Sequence, residues 1–221
     1  MEVHLEHRRG RSWYRVVAAD GSRSWVLDRE ALERLRLFTG GPAGSPVHLE
    51  AHQVPLLDEA ECAAARRRAL VLLGHRSRSV AELRRLLEAW PFSAAAVEDA
   101  LAWARELGYL DDRALAQEMV TLNLERRGRG RRALMAEMES RGIPPEVGAA
   151  EVARHFPPAR EGELAAEVAR RHAPSLHGLP LEQQVARLWR YLSRRGFDEE
   201  AVRRAVLSAL GPEAGRWMDP P

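Results

Sequence analysis

SVAELRRLLEAWPFSAAAVEDALAWARELGYLDD, residues 79–112, contains two amphipathic helix patterns joined by a tight connection. Ser79 and Glu82 have the spacing of a capping box, and Ser93 stands where the cap of the second helix is expected. The leucines at 83, 86 and 87 recur at helical spacing, which indicates one buried face. We therefore predict a pair of short helices here, followed by a third that Asp111 or Asp112 caps.

The apolar core of this stretch recurs twice further along the chain. Each copy has three apolar residues at intervals of nine, and the copies are 51 and 54 residues apart. The three sets are Leu83, Phe92 and Leu101; Leu134, Ile143 and Val152; and Leu188, Phe197 and Val206. Self-similarity at such a period is typical of repeat arrays, in which each unit buries its apolar face against its neighbours. The pattern predicts a mainly α protein built from tandem helical repeats.

The three copies differ where their first helix ends. Gly142 and Gly196 each follow an arginine and suit a left-handed helix C-terminus. The first copy has Trp90-Pro91 instead, and proline cannot adopt a positive φ. We therefore expect this helix to end differently, with Trp90 biased towards an extended conformation.

Residues 1–57 have a composition different from the rest. Four short β-rich segments are candidate strands: residues 3–5, 13–17, 23–27 and 47–49. An Asp20-Gly21 turn separates the second from the third, which predicts a hairpin. Asp28 can cap a short helix with Leu32, Leu35 and Phe38 on one face, and residues 39–46 are a Gly/Pro-rich loop. We expect this small β-containing unit to lean on the first helices.

The remaining chain divides into three predicted repeats. The first spans 58–109, the second 110–156, and the third, with the C-terminal tail, 157–221. Asp58 and Glu61 also have capping-box spacing, which predicts a helix over 60–73 that ends at Gly74. Within the second repeat, a Gly-Arg-Gly break at 128–130 separates two helices.

Composition excludes several classes of protein. Of the 221 residues, 45% are hydrophobic, which permits a packed core, and no apolar run approaches the roughly 20 residues that span a bilayer. The first residues lack the apolar stretch of a secretory signal, so we expect a cytoplasmic protein. The single Cys62 excludes an internal disulfide and is expected to pack as a small apolar residue.

Catalytic and metal-binding patterns are missing from the sequence. It contains no phosphate-binding glycine loop, nucleophile elbow or zinc-protease motif. His4 with His7, or His48 with His52, could meet across the N-terminal sheet as a metal site, but no cysteine accompanies them, and solvent-facing histidines are favoured. The position of Asp111 and Asp112 explains them as helix caps. We predict no catalytic site, cofactor or metal.

Clusters of arginine are the remaining candidates for a functional surface. The net charge is only +2, but all 34 basic residues are arginine. One cluster comprises Arg66, Arg67, Arg68, Arg76, Arg78, Arg84 and Arg85; the other comprises Arg126, Arg127, Arg129, Arg131 and Arg132. Such runs are most often a solvated helix face. However, the second has no acidic residue between its ends, and its two glycines would let the backbone approach an anion. These clusters could bind nucleic-acid phosphates or an acidic protein groove.

The sequence resembles the RecX family, the bacterial regulatory partners of the RecA recombinase. Residues 69–143 carry the most specific likeness, and the hairpin and third repeat extend it over most of the chain. The matching residues are Ala69, Leu70, Leu72, Leu73, Arg76, Arg78, Ser79, Glu82, Leu83, Leu86, Leu87, residues 108–112, Ala116, Leu134, Arg141, Gly142 and Ile143. Departures are Leu115, where an aromatic residue is common, and the absence of lysine.

The resemblance implies an elongated, curved array of tandem three-helix repeats that acts as a non-enzymatic modulator. It implies a protein that lies along the groove of the RecA–DNA filament, inhibits ATP hydrolysis and strand exchange, and so controls DNA repair and recombination. We expect the protein to be a monomer. Single- or double-stranded DNA is a further possible partner. The alternative is a free-standing nucleic-acid-binding repeat protein that acts without RecA. The assignment of the arginine clusters to these contacts is our own inference.

Overall fold

The computed structural model describes residues 1–7, 13–37 and 47–218. Within the last range, only the backbone of Ala51 is described. The chain is mainly helical and carries a small antiparallel sheet at its N-terminus. It divides into two compact units, residues 1–111 and 112–221. The finer division into an N-terminal unit and three repeats stays a prediction.

The N-terminal sheet has four antiparallel strands in the order β3-β2-β1-β4. The strands are β1 (Glu2–Glu6), β2 (Trp13–Ala18), β3 (Ser24–Asp28) and β4 (Val47–His48). The predicted hairpin is confirmed: β2 pairs with β3, and Gly21 has a φ of 70° in the connecting turn. The Asp20 carboxylate accepts a hydrogen bond from the backbone N–H of Ser22 at 2.9 Å, which closes this turn.

Helix α1 (Arg29–Arg34) follows the sheet directly. The predicted cap is confirmed, because Asp28 accepts a hydrogen bond from the backbone N–H of Ala31 at 2.9 Å. Leu32 is fully buried, and Leu35 is partly buried. Phe38 and the predicted loop 39–46 lie outside the described residues. The sheet and α1 share a core with the start of α2, as expected for a unit that leans on the helices.

Helix α2 (Val54–His75) corrects the prediction of a capping box at Asp58 and Glu61. The helix begins at Val54 and continues past Gly74, so both carboxylates lie inside it. Asp58 instead accepts a hydrogen bond from the indole N–H of Trp25 at 2.6 Å. The buried Glu61 accepts hydrogen bonds from the backbone N–H of Val26 at 2.8 Å and the hydroxyl of Ser93 at 2.5 Å. These carboxylates therefore join α2 to the sheet and to Ser93, the residue that caps the helix beginning at Ala94.

Helices α3 (Val80–Glu88) and α4 (Ala94–Glu106) confirm the two helices predicted within residues 79–112, and the cap at Asp111 or Asp112 stays a prediction. The Ser79 hydroxyl accepts from the Glu82 N–H at 3.0 Å, and the Glu82 carboxylate accepts from the Ser79 N–H at 3.2 Å. Ser93 caps α4 through the N–H of Ala96. These two helices pack with α2 around the buried leucines at 83, 87 and 101.

The second unit contains six α-helices in its described part. They are α5 (Asp112–Leu122), α6 (Arg131–Ser140), α7 (Pro145–His155), α8 (Pro158–His172), α9 (Leu181–Arg194) and α10 (Glu199–Leu210). They share one apolar core, which includes Leu134, Ile143 and Val152 from the second repeat and Leu188, Phe197 and Val206 from the third. The predicted left-handed glycines are confirmed, with φ values of 74° at Gly142 and 80° at Gly196.

The first repeat differs from the other two at Trp90-Pro91, where they have a left-handed glycine. Eight of the nine recurring apolar residues are fully buried, and Phe92 is the exception. Helix α3 ends at Glu88, and the Trp90 N–H donates to the Leu87 carbonyl at 2.9 Å in a turn. Trp90 then stacks on Phe92, with ring centroids 5.7 Å apart. The Trp90-Pro91 step therefore replaces the tight glycine turn and leaves Phe92 partly exposed.

Candidate partner and nucleic-acid interface

The arginine corner of the second unit is built on a short π-helical segment, Asn123–Arg127, which Gly128 ends in a left-handed conformation. The side chain of Asn123 is buried and holds the following loop. Its amide N–H donates to the carbonyl of Arg129 at 2.8 Å, and its oxygen accepts from the Arg129 N–H at 3.1 Å. The corner is thus fixed by a polar side chain inside the core.

Gly130 does not have the role expected of it, which was to let the backbone approach an anion. A Cβ at this position would lie 2.2 Å from the backbone of Gly196. The Gly130 N–H donates to the Arg195 carbonyl at 2.9 Å, and the Arg132 N–H donates to the Gly196 carbonyl at 3.2 Å. The close approach is therefore to the loop between α9 and α10, and it brings the arginines of both loops together.

Two adjoining cavities at this corner form what we call the basic cleft. Their volumes are about 750 Å³ and about 230 Å³. The polar and aromatic residues that line them are Arg126, Arg127, Arg129, Glu137, Arg171, His172, Tyr191, Arg194 and Arg195. Six arginines against one glutamate give the lining a formal charge of +5. Such a surface attracts anions over a distance and favours phosphate or acidic protein ligands.

Hydrogen bonds and ring stacking hold several of these side chains in place. The Arg195 guanidinium donates to the carbonyls of Arg127 and Gly128 at 2.9 and 3.1 Å and lies 4.9 Å from the Tyr191 ring centroid. His172 stacks on Tyr191 with centroids 3.8 Å apart. Glu137 pairs with both Arg127 and Arg129, at 2.5 and 2.9 Å. A partly ordered cationic surface loses less entropy on binding.

The second predicted arginine cluster divides between the cleft and its surroundings. Arg126, Arg127 and Arg129 line the cleft. Arg132 lies at the same junction and donates to the carbonyl of Ser193 at 3.3 Å. Arg131 lies outside the cleft lining, and its backbone N–H donates to the buried carboxylate of Glu161 at 2.8 Å. Sequence reasoning missed Arg171, Arg194 and Arg195, which approach only through tertiary structure.

The first predicted cluster lies in the other unit, and most of its side chains bond within the protein. Arg66 forms a bidentate pair with Asp99 at 2.6 and 2.7 Å. Three others also pair with carboxylates: Arg67 with Asp28, Arg76 with Glu82, and Arg84 with Glu98. Arg78 donates to the carbonyl of Leu72, and Arg68 lies over the ring of Trp90. Arg85 is exposed on α3. A partner would have to compete with the carboxylates for four of these seven guanidinium groups.

Cys62 and His7 of the first unit each pack against neighbouring side chains. Burial raises the pKa of the Cys62 thiol, and the carboxylate of Asp99 adds to this shift. The thiol packs against the core of its unit, as expected for a small apolar residue. His7 stacks on Tyr14, with centroids 4.4 Å apart. Over residues 1–7, 13–37 and 47–218, no three His, Cys, Asp or Glu side chains cluster as metal ligands.

Among the described helices, none combines the length and the apolar character needed to cross a bilayer.

Family models match two parts of the chain. Residues 65–103 match the first three-helix domain of RecX, and residues 160–206 match its third three-helix domain. The solved structures of RecX from Lactobacillus salivarius and of a further regulatory protein RecX each align with a TM-score of 0.62. The first is 13% identical and covers 67% of this chain and 96% of its own; the second is 19% identical and covers 91% and 97%. At these identities the likeness concerns the fold.

Sequence relatives extend this likeness to the family. The regulatory protein RecX of Chlorobaculum tepidum is 31% identical over 160 residues, which cover 72% of this chain and 97% of the relative. That of Thermobifida fusca is 33% identical and covers 68% and 81%, and that of Thermus thermophilus is 38% identical and covers 58% and 80%. Together with the three-helix domains and the shared fold, these matches show that the chain belongs to the RecX family of regulatory proteins.

Proposed function

We propose that this chain is a non-enzymatic regulator that binds the RecA–DNA filament and inhibits its ATPase and recombinase activity. The observation that supports this most directly is the basic cleft, where six arginines face one carboxylate on a chain of a regulatory family. A filament of DNA and protein offers phosphates and acidic side chains, both of which such a surface attracts. We place this activity in the cytoplasm and assign it to a monomer.

The proposed mechanism requires that the protein bind the filament, and it requires no chemical step on this protein. A bound regulator would bring the fixed guanidinium groups of Arg127 and Arg195 against the filament, while exposed Arg126 and Arg194 adjust to it. Contacts with phosphate would be independent of base sequence and would weaken steeply as salt rises. Inhibition would follow if the bound regulator opposed the movements that accompany ATP hydrolysis.

The direct test is the rate of ATP hydrolysis by RecA on single-stranded DNA with this protein in stoichiometric excess. We expect the rate to fall as the protein is added. An unchanged rate would contradict the proposal and favour the alternative, a nucleic-acid-binding repeat protein that acts without RecA. The same basic cleft would serve that alternative. Binding to RecA alone, to DNA alone and to their complex separates the two functions, because a filament regulator should bind the complex most tightly.

A further inference from the structure

The first unit contains a second concave surface that the proposed function does not use. It lies where the β-sheet meets α2 and the α3–α4 connection, and its volume is about 230 Å³. We call it the aromatic cleft and define it by Trp13, Arg67, Arg68, Val71, Trp90 and Phe92. A larger open cavity of about 460 Å³ adjoins it and shares Trp13 and Trp90.

The first repeat has Trp90-Pro91 where the other repeats have a glycine turn, and this difference places Trp90 and Phe92 beside Trp13 as an aromatic wall of the cleft. Trp90 stacks on Phe92 at 5.7 Å with their planes 10° apart, and Trp13 lies 6.1 Å from Trp90. The guanidinium of Arg68 lies 4.5 Å from the Trp90 ring centroid. Ile143 and Phe197, the counterparts of Phe92, are buried in the core of the other unit. Phe92 is therefore only partly buried against the core of its own unit, and it lines an open surface together with Trp13 and Trp90.

The lining of the aromatic cleft also includes an apolar residue exposed to solvent. Val71 is 53% exposed on α2, about one turn beyond Arg67 and Arg68, and it borders the cleft. Val26, Leu27 and Ala64, which are buried, also line the cleft. Val71 therefore adds an exposed apolar side chain to the aromatic lining of the cleft.

Charge distinguishes the aromatic cleft from the basic cleft. Arg67 forms a bidentate pair with Asp28, which cancels both charges. Among the lining side chains, Arg68 is then the one cation that no carboxylate of the described residues pairs with. A single positive charge gives little affinity for a polyanion, which depends on many phosphate contacts. The aromatic cleft is therefore suited to a protein segment rather than to nucleic acid.

Hydrogen-bonding groups narrow the choice of segment. Within the described part of the chain, the indole N–H groups of Trp13 and Trp90 have no hydrogen-bond partner. Both oxygens of Asp28 are already occupied, by Arg67 and by the N–H of Ala31. The cleft thus offers donors and no vacant carboxylate oxygen. Proline residues bring carbonyl acceptors without N–H donors, and an extended proline-rich helix leaves those carbonyls free.

We propose that the aromatic cleft binds a proline-containing, extended segment of a partner protein. Pyrrolidine rings would pack on the wall formed by Trp13, Trp90 and Phe92 and against Val71. The indole N–H groups would donate to carbonyls of the segment. Grooves lined by aromatic side chains are a general means of recognising proline-rich peptides, because the preformed extended helix loses little entropy on binding.

A deca-proline peptide tests the proposal with the whole 221-residue chain. The six tryptophans each give an indole N–H resonance in an NMR spectrum, assigned through individual Trp→Phe variants. We expect the resonances of Trp13 and Trp90 to shift during titration, while that of exposed Trp217 stays in place. A Gly-Ser peptide of equal length should cause no shift. Absence of a shift with deca-proline, or an equal shift with the Gly-Ser peptide, would overturn the proposal.

Matched variants and a nucleic-acid probe complete the test. Val71→Glu should weaken peptide binding by roughly tenfold or more, because it places a charge in the apolar lining of the cleft. Leu70→Glu introduces the same charge at the neighbouring residue, which is 41% exposed and lies outside the cleft lining, and should leave binding unchanged. Equal loss in both variants would contradict the assignment. A shift of Trp13 and Trp90 with deca-thymidylate but not with deca-proline would assign the cleft to nucleic acid.

Discussion

Gly130 lies against the backbone of Gly196, so close that a Cβ on Gly130 would be 2.2 Å from the Gly196 carbonyl carbon. Hydrogen bonds from Gly130 N–H to the Arg195 carbonyl and from Arg132 N–H to the Gly196 carbonyl fix this contact. The contact joins the loop after the π-helical segment to the loop after α9. The basic cleft exists because these two loops touch.

Substitution of Gly130 by alanine should therefore separate the loops. We expect the free energy of unfolding of the second unit to fall by roughly 1–3 kcal/mol, since the clash is with backbone rather than with a flexible side chain. Chemical denaturation measures this change. Gly162→Ala is the matched control in the same unit, because a Cβ there meets only the guanidinium of Arg204, at 3.7 Å or more. It should stabilise by about 0.5–1 kcal/mol. Similar effects of both substitutions would contradict the close contact.

The basic cleft predicts how salt affects DNA binding. Arg126→Gln with Arg194→Gln removes two exposed charges from the cleft. We expect weaker binding to single-stranded DNA and a slope of log K against log salt reduced by about 0.7 per lost phosphate contact. Fluorescence anisotropy at several salt concentrations measures this slope.

Arg154→Gln with Arg105→Gln is the control for this change in charge. Both arginines are exposed and lie outside the cleft lining. We expect the affinity to fall only slightly and the slope to stay nearly constant. If the control pair and the cleft pair had equal effects on the slope, the arginines of the cleft would be no more than a solvated surface.

The arginines of the first unit should behave differently. Arg66 is held by Asp99, so Arg66→Gln is expected to cost up to about 1 kcal/mol of stability, the usual range for a partly exposed ion pair. DNA binding should stay unchanged. Asp99→Asn and the double variant allow the pair energy to be measured. If Arg66→Gln lowered the affinity for DNA without lowering the stability, Arg66 would have to be a DNA-binding residue.

Leu83 tests the register of the repeats. It is fully buried in the core of the first unit, and Leu83→Ala should reduce the free energy of unfolding by roughly 2–5 kcal/mol. Leu70→Ala removes the same atoms from a side chain that is 41% exposed on α2 and should cost within about 0.5 kcal/mol. A negligible effect of Leu83→Ala on thermal or chemical denaturation would contradict its place in the core.

Glu161 predicts a dependence of stability on pH. Burial raises the pKa of its carboxyl group above 4.5, the backbone N–H of Arg131 opposes this shift, and the carboxylate of Asp198 adds to it. Because the folded state holds the proton more tightly than the unfolded chain, this group makes stability fall as pH rises from about 4.5 to the raised pKa. Glu161→Gln keeps an oxygen for the Arg131 N–H and should remove this fall.

Denaturation midpoints at several pH values measure the effect of Glu161. Glu163→Gln, on an exposed side chain of the same helix, should leave the pH profile as it is. If Glu161→Gln left the decline in stability as steep as before, another group would have to cause it.

Much of the fold can be predicted from the sequence because local chemistry decides it. The capping box at Ser79 and Glu82, the cap at Ser93 and the left-handed turns at Gly142 and Gly196 can all be recognised from residues close in sequence. The prediction at Asp58 and Glu61 was wrong, although the spacing is the same. These carboxylates bond to Trp25, Val26 and Ser93, which are distant in sequence, and local spacing carries no information about such partners.

The sequence by itself determined the helical repeats, the N-terminal hairpin and the resemblance to the RecX family, since each depends on periodicity, capping or short motifs. Only the tertiary structure decided which arginines share a surface. Both predicted clusters are rich in arginine, but in the first unit Asp28, Glu82, Glu98 and Asp99 pair with four of the seven arginines. In the second unit, backbone contact between Gly130 and Gly196 brings Arg194 and Arg195 to Arg127. Charge on a folded surface depends on neighbours in space, and the contact of two loops sets those neighbours.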